Sequence, residues 1–343
     1  MPPSVPVEIA SPQCSCGARR FAIATRCTAT SLPAPNPVSS VIDCRPATHP
    51  STTSDRISAH GSAHKHAVSS IAGQSTQQVT REIDAMAETP MKLTLQGIDL
   101  EVRRKGRGPA LLMLHGGGGP ISHLPFADRL AEQFEIFAPV HPGFDGSRLP
   151  ERFDDLEDLV YLYLDLMDHL QLDRAVVLGT SIGGWLAAEL AVRNLQRISK
   201  LILVNAVGIK PGGRDERDIA DVFATSHAEL TRLTWHNPAL APDPSQFTDA
   251  QLKIVAGNRV ALSLYGWDPY LHNPRLRYRL HRITVPTLFL WGASDKLVTP
   301  AYGKAYCNMI PGAKMIAIDQ AGHSPHVEQP DVFVKHVTHF AAA

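Results

Sequence analysis

The segment Val176-Val177-Leu178-Gly179-Thr180-Ser181-Ile182-Gly183-Gly184 constrains this chain most, because it sets one serine between two glycines where an apolar β-branched run gives way to helical sequence. That is the G-x-S-x-G pattern of a strand–turn–helix elbow, with the serine hydroxyl presented at the tip. The glycines answer a steric demand: a side chain at 179 or 183 would collide with the turn or hold the helix away from the strand. The next residues, Trp185-Leu186-Ala187-Ala188-Glu189-Leu190-Ala191, have helical character. Ser181 is therefore the candidate nucleophile.

The rest of the chain supplies the frame for such an elbow. Gln96-Gly97 between Met91–Leu95 and Ile98–Val102 predicts an antiparallel hairpin. Ala110–Leu114, Ile136–Val140, Ala175–Leu178 and Leu201–Val204 are uninterrupted apolar runs, as expected of strands covered on both faces. Helical patterns over Phe126–Phe134 and Asp154–Leu172 alternate with them, which predicts an α/β fold with a parallel sheet and helices on both faces. After Asn205 this rhythm breaks for about eighty residues, in which Asp218–Leu233, Thr248–Leu264 and Arg275–Arg282 read as helical. Strand and helix signals then resume at Val285–Gly292, Pro300–Met309, Ala313–Ile318 and Pro330–Phe340. Ligands of open α/β sheets bind beyond the carboxyl ends of the strands, so residues 208–284 are expected to form a helical cap over a core of 88–207 and 285–343.

Composition narrows the function. Lys plus Arg and Asp plus Glu each number 33, leaving formal charge zero and no electrostatic footprint for nucleic acid or an anionic membrane. No apolar run approaches the roughly 20 residues of a membrane span, and the expected location is the cytoplasm. Cys14, Cys16, Cys27 and Cys44 fall in the first fifty residues and lack paired C-x-x-C spacing; beyond them stands only Cys307, so the folded part offers no disulfide. Residues 1–87 are rich in Ser, Thr, Ala and Pro, without hydrophobic period, and are expected to be a disordered leader. Their acid-poor balance is similar to that of an organellar transit peptide, an overextended start or a cloning-derived leader explains it equally well, and Met86 or Met91 would be natural beginnings of the folded protein.

A serine needs a base, and the base an orienting acid; in chain order after an elbow serine these come as acid, then histidine. Asp295 follows the restored strand in Trp291-Gly292-Ala293-Ser294-Asp295, and His323 follows the last strand in Ala321-Gly322-His323-Ser324. Attack on a carbonyl also needs two donors for the developing oxyanion. The run His115-Gly116-Gly117-Gly118-Gly119 after a buried strand offers the N–H of Gly117, and Ile182, next to the serine, offers the other. The run lacks the G-K-[ST] ending of a P-loop. His141-Pro142-Gly143-Phe144-Asp145-Gly146-Ser147 reads as a structural turn and His115 as a brace. Sixteen histidines include no H-E-x-x-H, so no metal is expected.

Five motifs, H-G-G-G, H-P-G-F-x-G-S, G-x-S-x-G-G, W-G-x-x-D-x-x-V and G-H-S-P-x-x-E-Q-P, together resemble the α/β-hydrolase superfamily over residues 91–343. The resemblance implies a mostly parallel eight-stranded sheet, a helical cap between the sixth and seventh strands, no cofactor, and Ser181, His323 and Asp295 as nucleophile, base and acid. Serine at 181 argues against the superfamily's aspartate-nucleophile epoxide hydrolases and dehalogenases. The glycine-rich loop resembles that of meta-cleavage-product hydrolases, which typically carry tryptophan directly after the histidine where this chain has Ser324. The implied activity is thus a carboxylesterase or lactonase acting on a small to medium apolar ester, with the carbon–carbon hydrolase second, a perhydrolase a lesser alternative, and a small-molecule receptor the non-enzymatic one. Trp235, Tyr265, Trp267 and Tyr270 are candidates for the pocket wall or for packing within the cap. Oligomeric state is left open.

Overall fold

A computed structural model describes residues 89–121, 123–213 and 215–343. The leader expected over 1–87 lies outside the described residues. Eight strands form one sheet in the order β1-β2-β4-β3-β5-β6-β7-β8. The hairpin is β1 (Thr89–Leu95) and β2 (Ile98–Lys105), antiparallel to each other, with β2 antiparallel to β4 (Glu135–Pro139). The remaining pairings, through β3 (Ala110–Leu114), β5 (Ala175–Thr180), β6 (Ile198–Val204), β7 (Thr287–Gly292) and β8 (Lys314–Ile318), are parallel. Gln96 and Gly97 turn the hairpin with φ of 52° and 75°, the two positive values that a type I′ turn requires.

Side chains alternate across the central strands as the pleat demands. Leu112, Leu114, Val177, Leu201, Leu203, Phe289 and Trp291 point into one hydrophobic cluster; Leu111, Met113, Val176, Leu178, Ile202, Val204, Leu288 and Leu290 point into the other. The first is covered by α2 (Leu156–His169), α3 (Ile182–Arg193) and α6 (Pro300–Cys307). On the second lie α1 (Pro125–Ala131) and α8 (Pro330–Ala342). Both faces being buried explains why the strands read as unbroken apolar runs. The start of α2 is set by a capping box, in which Asp155 accepts from the N–H of Glu157 and Asp158 reaches back to the N–H of Asp155.

Between β6 and β7 the chain carries α4 (His227–Thr234) and α5 (Asp249–Gly266), with short 3₁₀ turns at Leu276–Tyr278 and Leu280–Arg282. The helix expected over Asp218–Leu233 is corrected: only its last part is helical. Asp221 accepts from the N–H groups of Phe223 and Ala224 in a local turn, and Ser226 caps α4 by accepting from Glu229 N–H, so these side chains satisfy the backbone in a non-helical form. Arg275–Arg282 likewise forms two 3₁₀ turns in place of one helix. The four-residue helix α7 (Pro325–Glu328) precedes α8 and is too short to show as a period in the sequence. Among the described residues no helix is long and apolar enough to cross a membrane.

Candidate active site

Ser181 stands where β5 meets α3, with φ 52° and ψ −116°, a conformation that costs a non-glycine residue about 1–3 kcal/mol. The surroundings hold it there. Its N–H donates to Val204 O at 2.9 Å, and its carbonyl accepts from the N–H groups of Gly184, Trp185 and Val207 at 3.0, 3.2 and 3.3 Å. Gly179 and Gly183 do what the sequence requires of them: a Cβ at 179 would lie 2.2 Å from Gly183 O, and one at 183 would lie 2.4 Å from Leu114 O and His115 O. The helix can approach the sheet only because both are glycine.

The expected acid and base meet. His323 Nδ1–H donates to Asp295 Oδ2 at 2.7 Å, with the Asp295 side chain fully buried and that of His323 14% exposed. This bond fixes the tautomer, leaving Nε2 free to accept a proton. Asp295 Oδ1 accepts the N–H groups of Leu297 and Val298 at 2.9 and 3.0 Å, and Oδ2 accepts a second bond from Asn205 Nδ2 at 2.5 Å. Asn205 is a residue to which sequence reasoning assigns no role. It ends β6 with φ 43°, fully buried, and also accepts Gly292 N–H through Oδ1 at 3.2 Å, so it ties the end of β6 to the acid's own strand. The one signal for it is a polar residue directly after the apolar run Leu201–Val204. Among the described residues Ser181 Oγ makes no hydrogen bond to His323; such contacts commonly tighten only when substrate is bound.

The glycine loop lies on the other side of the serine. Gly119 N–H donates to Gly116 O at 3.1 Å to close a turn, and a Cβ on Gly116 would lie 3.2 Å from Ser181 Cβ. Gly117 is thus one residue from contact with the elbow. Ile182 is the first residue of α3, so its N–H has no acceptor within the helix and sits at the positive end of the helix dipole. Beneath the loop, His115 and His141 stack with ring centroids 3.7 Å apart. His115 Nδ1–H donates to Gly116 O at 2.8 Å and Nε2 accepts from His141 N–H at 3.0 Å; His141 Nε2–H donates to His115 O at 2.9 Å and Nδ1 accepts from Tyr163 OH at 2.5 Å. Each ring nitrogen has one neutral role. Burial pushes His115 down to about 4 and His141 well below the usual histidine range. Their hydrogen bonds tie the start of the glycine loop to the His141–Ser147 turn, and burial favours the neutral form of both rings.

Residues of the β6–β7 insertion grip the loops that carry Asp295 and His323. At the end of α4, Leu233 O accepts Lys296 N–H at 2.9 Å and Thr234 O accepts His323 N–H at 2.5 Å. The contact is close enough that a Cβ on Gly322 would lie 2.2 Å from Thr234 O. Glu328, buried in α7, completes the junction: Oε1 accepts the N–H groups of His236 and Asn237, both at 2.9 Å, and Oε2 accepts Gly322 N–H at 2.5 Å. Of the four aromatic candidates, Tyr265 is buried with its hydroxyl on Pro142 O, Tyr270 bonds Ala220 O, and Trp267 is 57% exposed. Trp235 directly follows Thr234, and a Cβ on Gly322 would lie 2.9 Å from Trp235 Cα. Among the described residues no group of three or more His, Cys, Asp or Glu is placed to hold a metal ion.

The model of the alpha/beta hydrolase family matches residues 111–336, and the chain belongs to that family. A pimeloyl-[acyl-carrier protein] methyl ester esterase of Vibrio campbellii is 27% identical over 252 residues, 69% of this chain and 96% of its own. A 2-hydroxy-6-oxo-6-phenylhexa-2,4-dienoate hydrolase of Comamonas testosteroni is 26% identical over 261 residues, 66% and 86%. A Bacillus subtilis protein provisionally named 2-succinyl-6-hydroxy-2,4-cyclohexadiene-1-carboxylate synthase is 27% identical over 248 residues, 67% and 89%. The crystal structure of a meta-cleavage product hydrolase superposes with a TM-score of 0.62 at 22% identity, covering 74% of this chain and 97% of that one. A membrane phospholipase A superposes with a TM-score of 0.65 at 21%, covering 77% and 89%. These structures share the fold.

Proposed function

We propose that this protein is a serine hydrolase that cleaves a carboxylic ester of a small to medium apolar substrate through an acyl-enzyme. His323 Nε2 takes the proton of Ser181 Oγ as Oγ bonds to the ester carbonyl carbon. The carbonyl oxygen becomes an oxyanion held by the N–H groups of Gly117 and Ile182. When the tetrahedral species collapses, the carbon–alkoxide bond breaks and the leaving oxygen takes the proton from the imidazolium. Water, deprotonated by the same Nε2, then attacks the acyl-enzyme and returns Ser181 with a free acid. Asp295 stays unprotonated throughout and orients the ring. Residues 208–284 serve as the cap, and Trp235 is a candidate for the pocket wall.

The observation that carries the reading is the 2.7 Å bond between His323 Nδ1 and the buried Asp295 carboxylate, on the loops adjoining a strained elbow serine. The Vibrio esterase adds support at 27% identity. Carbon–carbon hydrolysis of a ring-cleaved dienoate is the second reading, favoured by the Comamonas relative and by the glycine loop. Ser324, where such enzymes typically carry tryptophan, places it second. A panel of p-nitrophenyl esters of rising chain length beside a ring-cleaved dienoate decides between them. The expected result is ester turnover that Ser181→Ala reduces by about 10⁴-fold or more. Turnover of the dienoate alone would replace the ester reading.

A further inference from the structure

One face of α5 lies across both glycine-bearing loops on the oxyanion side, and a single side chain there joins them. Asn258 is 5% exposed. Its Nδ2 donates to Gly118 O at 3.0 Å, and its Oδ1 accepts the N–H of Asp145 at 2.8 Å. The amide thus has a donor and an acceptor in use, one toward the His115–Gly119 loop and one toward the His141–Ser147 turn. Neighbours at helical spacing extend the contact: Ala261 and Leu262 are three and four residues on, and Tyr265 seven. A Cβ on Gly117 would lie 2.9 Å from Leu262 Cδ2, one on Gly119 would lie 2.8 Å from Asn258 Nδ2, and one on Gly143 would lie 2.9 Å from Ala261 Cβ. Tyr265 OH donates to Pro142 O at 2.9 Å.

The Gly118 carbonyl held by Asn258 belongs to the residue next to the one whose N–H is assigned to the oxyanion. Because peptide groups are planar, only the φ and ψ of Gly117 and Gly118 separate the two groups, so the direction of the carbonyl limits where the N–H can point. Within the loop, the peptide that carries the Gly117 N–H is held through its own carbonyl, Gly116 O, by Gly119 N–H and by His115 Nδ1–H, and Gly119 N–H shares a planar peptide with the Gly118 carbonyl, so Asn258 anchors the far peptide of the turn that closes on Gly116 O. Stacked His115 and His141 fix the loop from the sheet side; Asn258 fixes it from the insertion side.

We infer that Asn258 is a positioning residue for the oxyanion loop, so that the donor geometry depends on α5 being seated on the core. This rests on the serine-hydrolase reading for its catalytic consequence, while the tie itself does not. Asn258→Ala removes both bonds. Asn258→Asp keeps the shape and the acceptor for Asp145 N–H but turns a carboxylate oxygen toward Gly118 O, where a donor is needed. Val260→Ala, on the 61%-exposed opposite side of the same helix, is the control.

Two readouts test it on the full chain. Hydrogen exchange should show the Gly117–Gly119 amides exchanging at least about tenfold faster in both Asn258 variants, with β5 and α3 unchanged and Val260→Ala like wild type. With the best substrate of the panel, kcat should fall by about 10- to 100-fold at nearly unchanged KM in both variants, as for a misplaced transition-state donor. Unchanged loop exchange in Asn258→Asp overturns the tie whether or not the protein cleaves esters. Faster loop exchange with unchanged kcat, or a loss carried mainly by KM, overturns its catalytic role. Absence of turnover of every ester and of the dienoate by wild type would defeat the hydrolase reading and with it that role, while exchange would still decide the tie.

Discussion

The two sides of Ser181 are both gripped by the β6–β7 insertion, and the grips are built from opposite parts. On the side of Asp295 and His323 the insertion gives backbone carbonyls, Leu233 O and Thr234 O, to N–H groups of the core, and the core answers with Glu328 on the insertion's backbone N–H groups and Ser294 Oγ on the His236 ring. On the side of the glycine loop the insertion gives side chains to backbone groups of the core, Asn258 to Gly118 O and Asp145 N–H and Tyr265 to Pro142 O, and of these Asn258 alone reaches the glycine run by a hydrogen bond. A grip made of backbone carbonyls survives almost any substitution at its own positions, whereas the hold on the glycine run, made by one amide, can be cut by one change. Each side is therefore vulnerable at a different place: the His323 loop through Glu328, the glycine loop through Asn258.

The largest expected effect is at Glu328. Glu328→Ala leaves three N–H groups without their acceptor, that of Gly322 in a buried bond and those of His236 and Asn237 in partly buried ones, and unfolding free energy should fall by about 3–4 kcal/mol. Chemical denaturation at neutral pH measures this. A loss below about 1 kcal/mol would mean that the carbonyl grip of α4 suffices and that the contrast between the two sides is smaller than their hydrogen bonds imply.

A smaller effect concerns the glycine-loop side. His115 is neutral in the folded state, its value pushed down by burial to about 4, whereas in the unfolded chain it takes a proton near the ordinary histidine value of 6.5. Below pH 6.5 the unfolded state binds more protons, so stability is fully present above that value and is lost as pH falls toward 4. The gap between 6.5 and about 4 corresponds to about 3 kcal/mol as an upper figure. Other groups titrate in the same window, so the measurement is a difference: His115→Gln should show a shallower fall of unfolding free energy between pH 6.5 and 4 than wild type. Equal slopes would remove His115 as the source.

The sheet is legible in the sequence because burial on both faces writes strands as unbroken apolar runs, and the elbow because its turn admits only glycine at 179 and 183. Asp295 and His323 are legible as polar residues just beyond strand ends. Their partners are less so. Asn205 follows the run Leu201–Val204 in plain view, yet nothing local says that its amide reaches 90 residues onward to Asp295. Glu328 stands within the G-H-S-P-x-x-E-Q-P motif with no role that its neighbours reveal, since its partners include backbone groups of the insertion. Asn258 lies 140 residues from Gly118 and 113 from Asp145, in a helix whose polar residues otherwise face solvent, so only the folded register reveals it. Asp218–Ser226 fails as helix for a nearby reason: Asp221 and Ser226 bond the local backbone, a competition that periodicity does not weigh.

Whether Ser181 is a working nucleophile activated by His323 is tested most directly by a fluorophosphonate that modifies active-site serines, followed by peptide mass mapping. One adduct on Ser181 is expected in the wild-type protein, none in Ser181→Ala, and strongly slowed labelling in His323→Ala. No labelling of folded wild type, or labelling that persists in Ser181→Ala, would contradict that role.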